Sequence, residues 1–230
     1  KKKCIKTAGT FERLITGYID YEKGRTMNMI TGQQITIVPS KPEDKRKVYE
    51  WLCLSETTRS HMGPPNFEDT PIPTWEEYCE DFQDYYFDDS RPDDGQLWII
   101  KFEDKEIGAI CYSSFHLKGK SAELDIWMKA EDYCGRGLGS ETITVFCDYL
   151  MKNNQIERFI IRPSKRNVRA VKAYEKAGFK IVPDKDKQKI LKEYLLDEYL
   201  EKYGPGDYGT GDDVVLIKVK DTCQSCDIIS

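Results

Sequence analysis

Cys134-Gly135-Arg136-Gly137-Leu138-Gly139-Ser140 is the stretch on which the reading of this chain turns. Before it, Ser121–Lys129 alternates in the manner of a strand; after it, Ile143, Val145, Phe146, Tyr149 and Leu150 form the apolar side of a helix. Glycines let backbone N–H groups approach a ligand without a Cβ in the way. At a helix N-terminus several of those N–H groups lack intrahelical partners, and the helix dipole favours an anion. A pyrophosphate meets both conditions, with each hydrogen bond to a charged oxygen contributing about 1.5–3 kcal/mol. The spacing GxGxG is not the GxGxxG of the dinucleotide fold, and no lysine stands before Ser140 as in a P-loop. By itself the loop supports either an anion site or a plain strand-to-helix turn.

The second informative stretch is Asn167-Val168-Arg169-Ala170-Val171-Lys172-Ala173-Tyr174-Glu175-Lys176-Ala177-Gly178-Phe179. Its spacing predicts a helix over 167–177 with Ala170, Val171 and Tyr174 on one face, stopped by Gly178. Together the two stretches resemble the two main motifs of the GNAT superfamily of N-acetyltransferases. The resemblance spans residues 35–220 and is most specific over 121–182. In pattern it is nearest to the aminoglycoside 6'-N-acetyltransferase-like and ribosomal-protein-acetyltransferase-like branches. It implies an α/β fold of the GNAT type: a mixed, mostly antiparallel central sheet with flanking helices, splayed at the acetyl-CoA site. Acetyl-CoA is then the co-substrate, and no metal is needed. The backbone of Ile126, Trp127 and Met128 would face the pantetheine arm. Cys134, Gly135, Arg136, Gly137, Leu138, Gly139 and Ser140 would surround the pyrophosphate. Asn167 matches a polar contact near the coenzyme. Arg166, Arg169 and Lys172 are open to coenzyme phosphates or to solvent. Cys134 stands where the family usually has Arg or Gln, which leaves a cradle made chiefly of backbone.

Acetyl transfer to an amine needs the neutral amine, and a lysine-like amine is neutral in only on the order of one molecule in a thousand at pH 7. A positioned base supplies the deprotonation. Glu123 and Asp125 are two apart on a predicted strand and so project from one face. Glu123 matches the base of the histone-acetylating members, and Asp125 the acidic residue of the aminoglycoside branch; either is also readable as a solvated strand carboxylate. Tyr174 matches the family's proton donor to the departing thiolate. His61 and His116 have no partner at triad or metal spacing and are expected at surface or turn positions.

Outward from these motifs, 39% hydrophobic and 33% charged residues with a net charge of −5 fit a globular chain and argue against general nucleic-acid binding. No apolar run approaches a membrane span, and the basic start Lys1-Lys2-Lys3 lacks the apolar core of a secretory signal, so the cytoplasm is the expected compartment. The eight cysteines are irregularly spaced and expected to be reduced, and the Cys223–Cys226 pair lacks the second pair of a zinc site. Residues 1–34 are expected to be an N-terminal extension, 35–220 the acetyltransferase domain with a helical insert over 186–203, and 221–230 a flexible tail. Further elements expected are a strand at Ile35–Val38, a helix through Val48–Leu54, one helix over Trp75–Phe87 opened by Thr74 and Glu77, and a hairpin turning at Glu103-Asp104-Lys105.

The acceptor is less determined. The aminoglycoside enzymes place Asp-Pro after the strand that follows the loop; here the pair is Arg162-Pro163, and an open guanidinium would repel a polycation. Glu80, Asp81, Asp84, Asp88 and Asp89 are readable as a cation site or, with preference, as a solvated helix face. Three functions stand: acetylation of a small-molecule amine (the favoured one, by a monomer or homodimer without nucleic acid or membrane as partner), acetylation of a protein N-terminus or lysine, and non-catalytic binding of an acyl-coenzyme A.

Overall fold

The computed structural model describes residues 15–20, 25–59, 71–204 and 213–220. Among the described residues nine strands form one sheet: β1 (Ile15–Asp20), β2 (Arg25–Thr31), β3 (Ile35–Pro39), β4 (Gly95–Phe102), β5 (Lys105–Ser113), β6 (Ser121–Met128), β7 (Arg158–Ile161), β8 (Lys180–Ile181) and β9 (Leu216–Val219). Their order is β1-β2-β3-β4-β5-β6-β7-β9-β8, antiparallel everywhere except between β6 and β7. Helices α1 (Lys45–Leu54), α2 (Glu56–Arg59), α3 (Trp75–Asp81) and α4 (Tyr85–Asp88) precede β4; α5 (Leu138–Asn153) links β6 to β7; α6 (Val168–Lys176) follows β7; α7 (Asp184–Tyr194) and α8 (Asp197–Tyr203) precede β9.

The period-two pattern of the strands decides which helix covers which face. Trp98, Ile100, Ile110, Tyr112, Leu124 and Met128 pack beneath α5, against Ile143, Phe146 and Leu150. The alternate residues Leu97, Ile99, Ala109, Cys111 and Trp127 pack against α1, α3 and α4. Glu123 and Asp125 share the parity of Trp127 and therefore lie on the α1–α4 face. A third cluster, Leu117, Ile160, Val182, Leu191, Leu195 and Val215, seats α7 at the far end of the sheet.

Several elements differ from the sequence reading. The stretch expected to be an N-terminal extension, 1–34, contains β1 and β2, which extend the sheet beyond β3. The polar residues and Gly17 within it mask the alternation, since an edge strand needs only one apolar face. The single helix expected over 75–87 is two. Its capping box forms, with Glu77 N–H donating to Thr74 Oγ1 at 3.2 Å and Thr74 N–H to Glu77 Oε2 at 2.8 Å. It stops at Phe82, whose non-helical backbone lets the ring stack on Tyr78 at 4.9 Å and meet Trp127 edge-on at 5.9 Å. The insert is likewise two helices. Leu195 and Leu196 break it because their backbone is taken by the β5–β6 turn: Leu195 bridges Leu117, and Leu196 N–H donates to the His116 carbonyl at 2.9 Å. The β4–β5 hairpin turns at Glu103 and Asp104, both at positive φ (49° and 61°), as a two-residue turn of the primed type requires. His61 and the Cys223–Cys226 pair lie outside the described residues.

Candidate active site

The β6–β7 pair is where the sheet opens. Only Ser121–Glu123 pair with Arg158–Ile160; β7 ends at Ile161, while β6 runs on to Met128. The β7-facing backbone of Ile126, Trp127 and Met128 thus borders a gap at the carboxyl ends of two parallel strands, the position where open α/β sheets receive ligands. The crossover helix α5 starts beside this gap, so the same chain reversal delivers the glycine loop to it.

After a 3-10 turn at Glu131–Tyr133, Gly135 and Gly137 adopt φ of 71° and 85°. A Cβ at either would meet nothing within 4 Å, so glycine is required there by backbone conformation rather than by crowding. Gly137 is the N-cap of α5, and the first helical bond runs from Glu141 N–H to its carbonyl at 3.0 Å. The N–H groups of Leu138, Gly139 and Ser140 therefore precede the helical ladder and are left for a ligand or solvent. Buried Leu138 anchors the loop in the core. Glu141 ties the first turn of α5 to the β2–β3 turn, accepting from Gln33 N–H and, at 2.8 Å, from Gln34 N–H. The Arg136 guanidinium lies 4.8 Å from the Phe102 ring centroid. Cys134 is half-buried with Sγ 3.7 Å from the Ala130 carbonyl, and burial pushes its thiol pKa up, so the side chain offers the loop no charge.

The α6 side of the gap is held in place by its own side chains. Asn167 is the N-cap of α6, its Oδ1 accepting from Ala170 N–H at 3.1 Å. Arg169 grips Glu131 with two bonds of 2.5 and 3.1 Å, clamping α6 to the glycine loop. Tyr174 is 6% exposed and packs with the core that includes α5.

The two carboxylates of β6 are not equivalent. Glu123 is held by Arg162 through Nε at 2.5 Å and Nη2 at 2.9 Å, and by His116 Nε2 at 2.7 Å. Burial opposes its ionisation, but the Arg162 guanidinium and His116 outweigh burial and hold the carboxyl well below the usual carboxylate range. Asp125, one pleat further into the gap, has no ion pair among the described residues. Burial, helped by the neighbouring charge of Glu123, pushes it up to about 6.

Two expectations are corrected here. His116 occupies a turn but not the surface: it is 3% exposed and bonded to Glu123. No sequence spacing signals this pairing, because the β5–β6 turn folds His116 back over the start of β6. Arg162 does not present an open charge to an acceptor. It is 2% exposed, neutralised by Glu123, with Nη1 donating to the Tyr203 carbonyl. The Trp127 and Met128 side chains are buried in opposite clusters, which leaves their backbone to border the gap. Glu80, Asp81, Asp84, Asp88 and Asp89 are exposed along α3 and α4, where Asp84 pairs with Lys45 at 2.7 Å. Among the described residues no cluster of His, Cys, Asp and Glu is arranged to hold a metal, and no helix is long and apolar enough to cross a membrane.

The architecture has counterparts among solved structures. AAC(6')-Ib in complex with Ribostamycin and Coenzyme A is similar over 84% of this chain and 100% of that one, with a TM-score of 0.56 and 16% identity. RimL, a ribosomal L7/L12 alpha-N-protein acetyltransferase in complex with Coenzyme A, is similar over 84% and 99%, with a TM-score of 0.57 and 16% identity. Microcin C7 self immunity acetyltransferase MccE, in complex with Acetyl-CoA and AMP, covers 81% of this chain and 93% of its own, at 0.54 and 16%. Both branches that the motifs resemble thus share this fold. The family model described as acetyltransferase (GNAT) domain matches residues 34–180, from the strand before α1 through the strand after α6. With its opened parallel pair and glycine-led α5, this chain belongs to the GNAT family of N-acetyltransferases.

Proposed function

We propose that the chain transfers the acetyl group of acetyl-CoA to the primary amine of a small molecule by direct attack, with Asp125 as base and Tyr174 as acid. The observation that carries this reading is the contrast on β6: Glu123 is locked in an ion pair, whereas Asp125, past the last pair with β7, has none among the described residues.

The pyrophosphate of acetyl-CoA rests on the N–H groups of Leu138, Gly139 and Ser140, with Gly135 and Gly137 giving the loop its shape and Cys134 and Arg136 at its rim. The pantetheine arm runs along the backbone of Ile126–Met128. This places the thioester beside Asp125. A carboxylate near pKa 6 is largely ionised at pH 7, yet closer to the amine's pKa than an ordinary aspartate, and so a better proton acceptor. The amine loses its proton to Asp125 as its nitrogen bonds to the thioester carbonyl carbon. The tetrahedral intermediate then collapses by breaking the C–S bond, and the Tyr174 hydroxyl protonates the departing thiolate. Asn167 and Arg169 serve this site indirectly, one by starting α6 and the other by fastening it to the loop.

A small acceptor is favoured by α8, which packs over the β5–β6 turn and narrows the face that carries Asp125. The test is release of free coenzyme A thiol across panels of amines, aminoglycosides and peptides. Asp125→Asn is expected to lower kcat by about 10²–10⁴, with acetyl-CoA still bound. Full activity in that variant removes Asp125 from the mechanism, and turnover on peptides alone overturns the small-molecule assignment.

A further inference from the structure

The buried imidazole of His116 and the rings around it have no part in the acyl transfer described above. Glu123 is kept ionised by Arg162, so it accepts the hydrogen bond from His116, and the proton must sit on Nε2. In the neutral ring Nδ1 is then a lone-pair acceptor. That atom is buried and has no hydrogen-bond partner among the described residues, and neither does Ser114 Oγ in the same turn. A buried polar atom left unpaired costs about 1–3 kcal/mol, which a donor on a ligand recovers.

The surroundings of Nδ1 are aromatic. The imidazole centroid is 4.8 Å from that of Phe115, 5.0 Å from Tyr203 and 6.5 Å from Tyr199. Tyr199 and Tyr203 come from α8 and lie 5.6 Å apart. Phe115, Tyr199 and Tyr203 are only half-buried, in contrast to His116. Their exposed edges are the side from which a ligand would reach the imidazole. Glu123 and Asp125 are two residues apart on one face, about 7 Å along the strand, and His116 lies a hydrogen bond of 2.7 Å beyond the Glu123 carboxylate. Across that distance the charges of Glu123 and Arg162 cancel, and Asp125 remains to match a single ammonium.

We propose that Phe115, His116, Tyr199 and Tyr203 form the acceptor-recognition subsite, and that it takes the aromatic end of a monocationic arylalkylamine. His116 Nδ1 accepts a hydrogen bond from a hydroxyl or N–H on that ring, while the amine lies at Asp125. A two-carbon linker between ring and amine fits the spacing. This assignment rests on the acetyl-transfer reading and names its substrate class.

The experiment measures coenzyme A release by the full chain with tyramine, phenethylamine, hexylamine and kanamycin. Tyramine is expected to show a kcat/KM about ten-fold above phenethylamine and at least ten-fold above kanamycin. His116→Gln keeps an N–H toward Glu123 but loses the ring nitrogen, and is expected to erase the tyramine-to-phenethylamine ratio. Tyr203→Leu is expected to raise the KM of both aryl amines about ten-fold and serves if the glutamine variant does not fold. Tyramine turning over no better than hexylamine overturns the proposal, as does a ratio that survives His116→Gln or a KM that ignores Tyr203→Leu. Should no amine release thiol although acetyl-CoA binds, the acetyl-transfer reading itself fails. The subsite is then judged by the thermal shift that tyramine produces: a shift in the wild type that His116→Gln abolishes supports it, and no shift in the wild type refutes it.

Discussion

Replacing Arg162 by Met removes the main counter-charge of Glu123 while keeping an apolar stem in its place. Arg162 is 2% exposed and makes two bonds to Glu123. Breaking a buried pair from one side leaves an uncompensated charge and destabilises by about 3–5 kcal/mol. At about 2–4 °C per kcal/mol for a chain of this size, Tm falls on the order of 10 °C. The pH dependence is the sharper signature. In the wild type Glu123 has a depressed pKa, so its contribution is fully present above the unfolded value and is lost only as pH falls through the folded one. Without Arg162, burial is no longer outweighed and the folded pKa rises above the unfolded value. The sign reverses: stability is then fully present below the unfolded pKa and is lost as pH rises through the folded one, at up to about 1.4 kcal/mol per pH unit. The retained His116 N–H bond sets the lower end of that range, and the lost bond to the Tyr203 carbonyl adds an offset common to every pH. Urea denaturation at pH 5 and pH 8 measures the difference. Arg162→Met is expected to lose clearly more at pH 8 than at pH 5, and adding Glu123→Gln should restore most of the pH 8 loss. Equal losses at both pH values, or a second substitution that restores nothing, would show that the pair does not carry the stability of this site.

Three further outcomes follow from the same geometry. The wild-type kcat/KM should rise with pH through about 6 as Asp125 ionises, and that limb should vanish in Asp125→Asn; a profile with no change near pH 6 removes the assignment. Tyr174→Phe should lower turnover ten-fold or more with coenzyme affinity kept, checked by steady-state kinetics beside calorimetric titration; unchanged turnover takes Tyr174 out of the mechanism. Gly137→Ala forces an alanine to φ near 85° without any clash, so it should cost about 1–2 kcal/mol in stability and raise the KM for acetyl-CoA; wild-type values for both would mean the loop conformation is not needed for binding.

Much of the fold was legible because its signals are local. The strand before the loop, the α5 face, the Gly178 stop and the Thr74–Glu77 cap each need only neighbours within about four residues. The two broken helices share one cause, which is that distant chain decided the outcome. Phe82 ends α3 to reach Trp127, and Leu195 and Leu196 break the insert to bond the β5–β6 turn. The candidate site divides in the same way. The glycine loop was readable as a run, whereas the state of Glu123 depends on Arg162, 39 positions away, and on a histidine that no spacing rule connects to it.

The sequence by itself determined the family, the glycine loop that opens α5 and the two carboxylates on one strand face from which the proposed base is drawn. These follow from residue type and short spacing, because glycine conformation, helix periodicity and strand parity are properties of the local chain. Tertiary structure decided what the charges do. Where β6 and β7 part, Asp125 has no ion pair among the described residues, while the folded-back turn and β7 bring His116 and Arg162 onto Glu123. An ionisable group takes its chemistry from its burial and its nearest charges, and those are set only when strands far apart in sequence lie side by side.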